Sequence, residues 1–342
     1  MSIPVVFDFE GPLGNPALDF AWVMYDKTSA STKERFPKRR IEEFDRYDDA
    51  LWEIHRDKRG HSTGTTPLII DCIAAIDGMT NRDLVSLTEE KMQLNPGVTE
   101  LLAYLTSEVP VYIVTSSHPA LSLSAADELG VTPDRIRTHG YQHGRCDSVE
   151  LRSPISGIAA NCQEVSDFLD KYLDACALVL TAIDAKDELA LQNAIMKRNR
   201  IVTDVDSKEL AQLLHYIFIS ERCVMGGHNK ARVLQRIAPD GNVIYIGDSI
   251  VDADAIKFAR YGFSVNCTNH HALRDSKFNI VTRDMFSLLP LLDDVQSGGF
   301  DTRGTSYSGM AVFTPQQVTY DFDAVKTANA EAKNFLKGVY NK

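Results

Sequence analysis

Val243-Ile244-Tyr245-Ile246-Gly247-Asp248-Ser249-Ile250-Val251-Asp252 runs from apolar residues into Gly-Asp and returns a second Asp four positions later. A short unbroken apolar run, followed by helical periodicity from Ile250 to Ala259 and closed near Gly262, is the pattern of a buried parallel strand passing into a helix. Asp248 then stands at the carboxyl end of the strand, and a tight turn can aim Asp252 toward the same point. Asp254, two residues further, points to another side of the helix. The same letters also read as an ordinary helix start, with Asp248 as N-cap and Asp252 as a first-turn acid complementing the dipole.

The pattern recurs upstream. Pro4-Val5-Val6-Phe7-Asp8-Phe9-Glu10-Gly11-Pro12-Leu13 places Asp8 at a strand end and Glu10 two residues on, with Phe9 alternating to the other face. Taken alone, Asp-x-Glu before Gly-Pro also describes a turn with solvated acids. Val111-Tyr112-Ile113-Val114-Thr115-Ser116-Ser117 ends a third apolar run in three hydroxyls. Those hydroxyls and the nearby N–H groups suit phosphate oxygens, although a Thr at a strand end is also a common turn or cap residue. Further strands are expected at Arg135 to His139, Phe263 to Cys267 and Asn279 to Thr282, and helices at Val98 to Leu105 and Leu121 to Leu129. Strands alternating with helices make the fold class α/β, a doubly wound parallel sheet.

Composition narrows the function classes. With 342 residues and 44% apolar content, the chain exceeds one ordinary core, so an inserted or second domain is expected. A formal charge of −11 argues against nucleic acid as a partner, which requires a basic footprint. No apolar run approaches the roughly 18 residues of a spanning helix, the best being Ala175 to Ile183. Cys72, Cys146, Cys162, Cys176, Cys223 and Cys267 show no CxxC spacing, and Asp8 and Glu10 interrupt the first apolar stretch. A soluble protein of the reduced cytoplasm is expected, with no membrane partner.

A fourth string, Gly226-Gly227-His228-Asn229-Lys230, opens a helix with Val233, Leu234 and Ile237 behind it. In order and content the four strings resemble the motifs of the haloacid dehalogenase (HAD) superfamily, in particular its phosphatases. The resemblance implies that Asp8 is the nucleophile that forms an aspartyl phosphate, and Glu10 the acid and then the base. It implies further that Thr115, Ser116 and Lys230 bind the phosphate and that Asp8, Glu10, Asp248 and Asp252 hold Mg²⁺. At the second position the family's phosphatases usually carry Asp; Glu keeps the chemistry but reaches about 1.5 Å further. The main-chain carbonyl there, a metal ligand in the family, is indifferent to the change. The implied partner is a small phosphorylated metabolite.

The resemblance covers residues 1–14, 95–142 and 223–294, the expected core. Residues 15–94 form the expected helical cap insertion, with Ile41, Phe44, Tyr47, Leu51 and Ile54 on one helical face and a Ser/Thr/Gly-rich break at Gly60 to Pro67. Residues 143–222 form a second, mostly helical insertion, and 295–342 a Gly-rich linker and helical tail. These insertions resemble those of uncharacterised archaeal members of the family, some named after a hydrogenase subunit. The basic run from Lys33 to Arg40 reads as a solvated charged face, or else as a cap surface for an anionic substrate. Two other functions fit the same motifs: a phosphotransferase or mutase using the same aspartyl phosphate, and a non-catalytic binding or assembly subunit that retains the fold.

Overall fold

The computed structural model describes residues 2–15, 19–55, 63–118, 128–138, 162–203, 225–300 and 307–339. Its centre is a seven-stranded sheet: β1 Val5–Phe7, β2 Val111–Val114, β3 Ile136–Arg137, β4 Ile244–Gly247, β5 Tyr261–Val265, β6 Phe278–Thr282 and β7 Met310–Phe313. The order is β3-β2-β1-β4-β5-β6-β7, and every neighbouring pair is parallel except β6 with β7. The six expected strands are present within a few residues of their expected bounds.

Alternation along each strand explains why these runs are apolar throughout. Val5 and Phe7 of β1 and Ile244 and Ile246 of β4 enter one core cluster, whereas Val6 and Tyr245 enter another on the opposite face. With both faces covered, β1 and β4 are apolar throughout, whereas β5 and β6 admit the buried Ser264 and Asn279, which hydrogen-bond each other. The chain builds outward from β1 to β3, then crosses back to place β4 on the other side of β1. At such a reversal the loops leaving two adjacent strands diverge and open a crevice beyond their carboxyl ends. Asp8 and Asp248 are the first residues past β1 and β4, so both stand in that crevice.

The helices are α1 Phe20–Lys27, α2 Ala30–Arg35, α3 Lys38–His55, α4 Thr66–Ile76, α5 Asn81–Lys91, α6 Val98–Glu108, α7 Cys162–Asp184 and α8 Glu188–Thr203. There follow α9 His228–Ile237, α10 Ala253–Phe258, α11 His270–Asp275, α12 Leu289–Ser297, α13 Pro315–Tyr320 and α14 Phe322–Val339. The two insertions pack into one helical layer, because α7 lies against α3 and α4 and pairs with α8. Phe44, Tyr47, Phe168 and Tyr172 join them, with Phe168 stacked on Tyr172 at 5.5 Å and Phe44 6.2 Å from Tyr172. Ile41, Phe44, Tyr47 and Leu51 are buried as their spacing predicts, but Ile54 is exposed at the helix end.

Two expectations change. The basic run is a solvated face only in part: Lys38 and Arg39 are exposed, but Arg35 pairs with Asp167 and Asp170, and Arg40 with Asp170 and Asp174, fastening α2 and α3 to α7. The expected linker and helical tail also contains β7, an antiparallel edge strand on β6, before α14. Only Met310 of its four residues is buried, so the strand lacks the apolar run that marks the others. The expected helix at 121–129 lies mostly outside the described residues; wholly outside them lie 210–218, where Leu210 to Phe218 of the second insertion read as helical, and His139, His143 and Arg145, which the sequence brings close together as a polar group. No described helix is long and apolar enough to cross a membrane.

The aromatic joint between the insertions should carry stability. Phe44→Ala is expected to lower unfolding free energy by about 3–5 kcal/mol in denaturant titration. Arg39→Ala, at an 89% exposed side chain, should change it by less than about 0.5 kcal/mol.

Candidate active site

Lys230 is fully buried, and its ammonium spans two carboxylates: Nζ lies 2.8 Å from Asp8 Oδ2 and 2.7 Å from Asp252 Oδ1. Three segments distant in sequence meet here, the ends of β1 and β4 and the first turn of α9. Asp252 is gripped on both oxygens. Tyr245 Oη donates to Oδ1 at 2.6 Å, while Asp248 N, Ser249 N and Ser249 Oγ donate to Oδ2 at 3.0–3.1 Å. Gly247 makes this possible, since a Cβ there would lie 2.4 Å from Asp252 Cγ. Gly11 serves Asp248 in the same way: it holds φ +96°, and a Cβ would meet Asp248 Cγ at 2.2 Å.

Asp248 is paired with Lys333, whose Nζ donates to Oδ2 at 2.7 Å. Lys333 lies on α14, inside the expected tail, and sequence reasoning missed it. Its signal was faint: it follows Asn329 by one helical turn on the side of Val325, Asn329, Ala332 and Leu336, which is buried. Asp8 accepts from Phe9 N at 2.8 Å through Oδ1, so its remaining capacity faces the crevice. The loop after Glu10 is pinned from below by Asn95, which donates to Gly11 O, Pro12 O and Gly14 O at 2.6–3.2 Å.

Glu10 and the hydroxyl string meet on the side facing the helical layer. Phe20 N donates to Glu10 Oε1 at 3.1 Å, and the Ser117 hydroxyl also bonds its carboxylate. Thr115 Oγ1 donates to Ser117 Oγ at 3.0 Å, so Thr115 orients the serine that holds Glu10. Thr115 itself is buried and does not line the cavity; Ser116 does. The cavity is about 260 Å³ and lies between the strand ends and the helical layer. Six carboxyl groups line it, from Asp8, Glu10, Asp19, Asp45, Asp49 and Asp248, with Lys333 as the lysine among them.

Three of the four expected metal ligands converge: oxygens of Asp8, Asp248 and Asp252 lie within 4.8 Å of one another. The Glu10 carboxylate is held away from them by Phe20 N and Ser117. Crowding leaves its mark on ionisation. Burial, then the charge of Asp252, pushes Asp8 up to about 8 despite the salt bridge to Lys230. Burial likewise raises Asp248 against the pull of Lys333. Asp252 is the exception: burial opposes its charge, but Lys230, Tyr245 and the Ser249 N–H outweigh it and hold it below the usual range. Glu10 is pushed to about 8, by the protein packed around its carboxyl and then by Asp19, although part of the residue's surface stays open to the cavity. Burial and the neighbouring Asp45 and Asp48 raise Asp49 to about 7.

A hard divalent cation fits this donor set. Its oxygens are carboxylates that converge within 4.8 Å, and Asp8 and Asp248 are raised chiefly by burial, which an ion bound between them would counter. Asp8 and Asp248 would hold such an ion directly. Asp252 has five donors on its two oxygens and is better placed to fix Lys230 and the turn.

No family model matches this chain, and no curated protein matches it in sequence. Among solved structures, gene product AF1437 from Archaeoglobus fulgidus is similar over 100% of this chain and 99% of its own, with a TM-score of 0.69 and 17% identity. At that identity the likeness is one of fold.

The raised groups set a pH dependence. Asp8 and Glu10 titrate near 8 when folded but near 4 when unfolded, so between those values the folded state holds more protons. Their contribution is full below about pH 4 and is lost as pH rises through about 8. With chelator present, stability should fall by more than ~1 kcal/mol from pH 5 to 8, and Asp8→Asn should flatten that slope in pH-resolved denaturant melts.

Proposed function

We propose that this chain is a haloacid dehalogenase-like hydrolase that removes phosphate from a small phosphoester through an aspartyl phosphate on Asp8. The observation that carries this reading is the position of Asp8, at the sheet's switch point, against a fully buried Lys230 that also grips Asp252. A structural ion pair would have no need of a cavity at its open face. Asp8 lines one.

Mg²⁺, held by Asp8 and Asp248, would supply positive charge against the phosphoryl oxygens and keep Asp8 ionised near neutral pH. Lys230 offsets the charge of Asp8 as its oxygen attacks phosphorus and the ester oxygen departs. Glu10, with its carboxyl pushed to about 8, carries the proton that the leaving oxygen needs. Once ionised, the same group takes a proton from the water that hydrolyses the aspartyl phosphate. Phe20 N and Ser117 fix its position, which answers the extra methylene: the longer side chain is held by the helical layer as well as by the sheet. Ser116, which lines the cavity, would donate to a phosphate oxygen.

The wall opposite the strand ends sets the substrate. Asp19, Asp45 and Asp49 would repel a second anionic group, so the part of the substrate beyond the phosphate is neutral or cationic. A space of about 260 Å³ suits a small phosphoester.

Phosphate release from a panel of small phosphoesters, with and without Mg²⁺, tests this. Turnover should require the metal, favour amino-alcohol or polyol phosphates over carboxylated ones, and drop by several orders of magnitude in Asp8→Asn. Metal-independent turnover, or an unaffected Asp8→Asn variant, would refute it. Glu10→Gln should cost about 10² to 10⁴ in rate on an alkyl phosphate and much less on p-nitrophenyl phosphate, whose leaving group needs no proton. Equal losses on both would remove Glu10 from the acid role.

A further inference from the structure

A second cluster of ligating side chains lies where the helical layer meets the sheet core. Glu53 near the end of α3 and the adjacent His270 and His271 at the start of α11 bring one carboxylate oxygen and two imidazole nitrogens within 4.8 Å of one another. We propose that these three residues bind a transition metal ion of the Zn²⁺ class, which staples the helical layer to the core. This does not rest on the phosphatase reading.

The detailed geometry is that of ligands around a shared point. Glu53 Oε1 lies 3.0 Å from His271 Nε2, yet that nitrogen is buried and makes no hydrogen bond. The two imidazole rings sit side by side with centroids 3.7 Å apart. A tetrahedral ion with bonds of ~2.0–2.1 Å separates its ligand atoms by ~3.3 Å, within the range these atoms span. The Asn269 side chain accepts from His271 N at 3.0 Å and Ala272 N at 3.1 Å, fixing the backbone that presents the pair. Two nitrogens and one carboxylate form a borderline donor set that favours Zn²⁺ over Mg²⁺ or Ca²⁺ and leaves a fourth position for water.

The place gives the ion its effect. Trp52, next to Glu53, is buried among Ile250, Val251 and Ala253 and meets the His271 ring edge-on at 5.6 Å. These core residues immediately follow the Asp248 turn. A metal joining α3 to α11 therefore locks the helical layer over the cavity mouth by bridging positions far apart in sequence.

Zn²⁺ titrated into the chelator-stripped full chain, with Mg²⁺ held in excess, should bind at one equivalent. His270→Ala and His271→Ala should each weaken binding by more than ~100-fold, beyond the ~10–100-fold typical of losing an outer-shell partner. Glu53→Gln, at an exposed residue, keeps the test open if a histidine variant misfolds, and should weaken binding at least ~10-fold. In a Trp22→Phe background Trp52 is the remaining tryptophan, and Co²⁺ should quench its emission with the same affinity at which four-coordinate Co²⁺ absorption appears. Absence of Zn²⁺ binding, binding unchanged in Glu53→Gln and His271→Ala, or binding lost in Asp248→Asn would overturn the proposal, the last by moving the ion to the carboxylate centre.

Discussion

The ammonium of Lys230, fully buried between Asp8 and Asp252, is the constraint from which the rest of the site follows. A lysine without solvent holds its charge only if carboxylates meet it, and removing one partner of such a pair typically costs 3–5 kcal/mol. The ends of β1 and β4 and the start of α9 must therefore arrive at one point together. Glycines at 11 and 247 clear the space that the carboxylates occupy. Tyr245, buried on the face of β4 opposite Ile244 and Ile246, reaches Asp252 and completes its hydrogen bonding.

That arrangement uses positive charge to hold negative charge in place, in surroundings whose burial disfavours the ionised carboxylates. Asp8, Glu10 and Asp248 are all raised, whereas Asp252 is not, so the inner carboxylate is spent on structure and the outer ones face the cavity. The helical layer adds more acids from α3. Asp48 accepts from Gly64 N and Thr65 N, Asp49 from Thr63 and Asp45 from Thr66, closing the chain entering α4 over the glycine turn before α9. Gly226 has no room for a side chain, because a Cβ there would lie 2.0 Å from Thr63 O. The carboxylate–lysine site and the acids of α3 thus belong to different layers, which touch at the Gly-Gly turn and at Trp52.

What the sequence revealed, and what it hid, follows from how each element is stabilised. Strands buried on both faces are apolar at nearly every position, so β1, β2 and β4 and the polar residues that end them stand out in the letters. Asp8, Asp248, Asp252 and Lys230 were legible for that reason and through the family resemblance. The edge strand β7, with one buried residue in four, carries no such mark. Lys333 was hidden because a lysine on an exposed helix and one reaching into a carboxylate site look the same until the helix is placed. The fastening of α2 and α3 to α7 was illegible for a related reason: Arg35 and Arg40 read as solvated until their aspartates, some 130 residues away, are brought alongside. The Thr115 hydroxyl, which the family resemblance implies as a phosphate donor, turns toward Ser117 and so supports Glu10 one step removed, a contact the letters do not show.

Covalent chemistry at Asp8 is the centre of this account. Chain turning over an alkyl phosphate with Mg²⁺, quenched in acid and reduced with borohydride, should carry homoserine at position 8, the product of a trapped aspartyl phosphate, as read by peptide mass spectrometry. Turnover that leaves position 8 as aspartate and places the reduced residue elsewhere would contradict it.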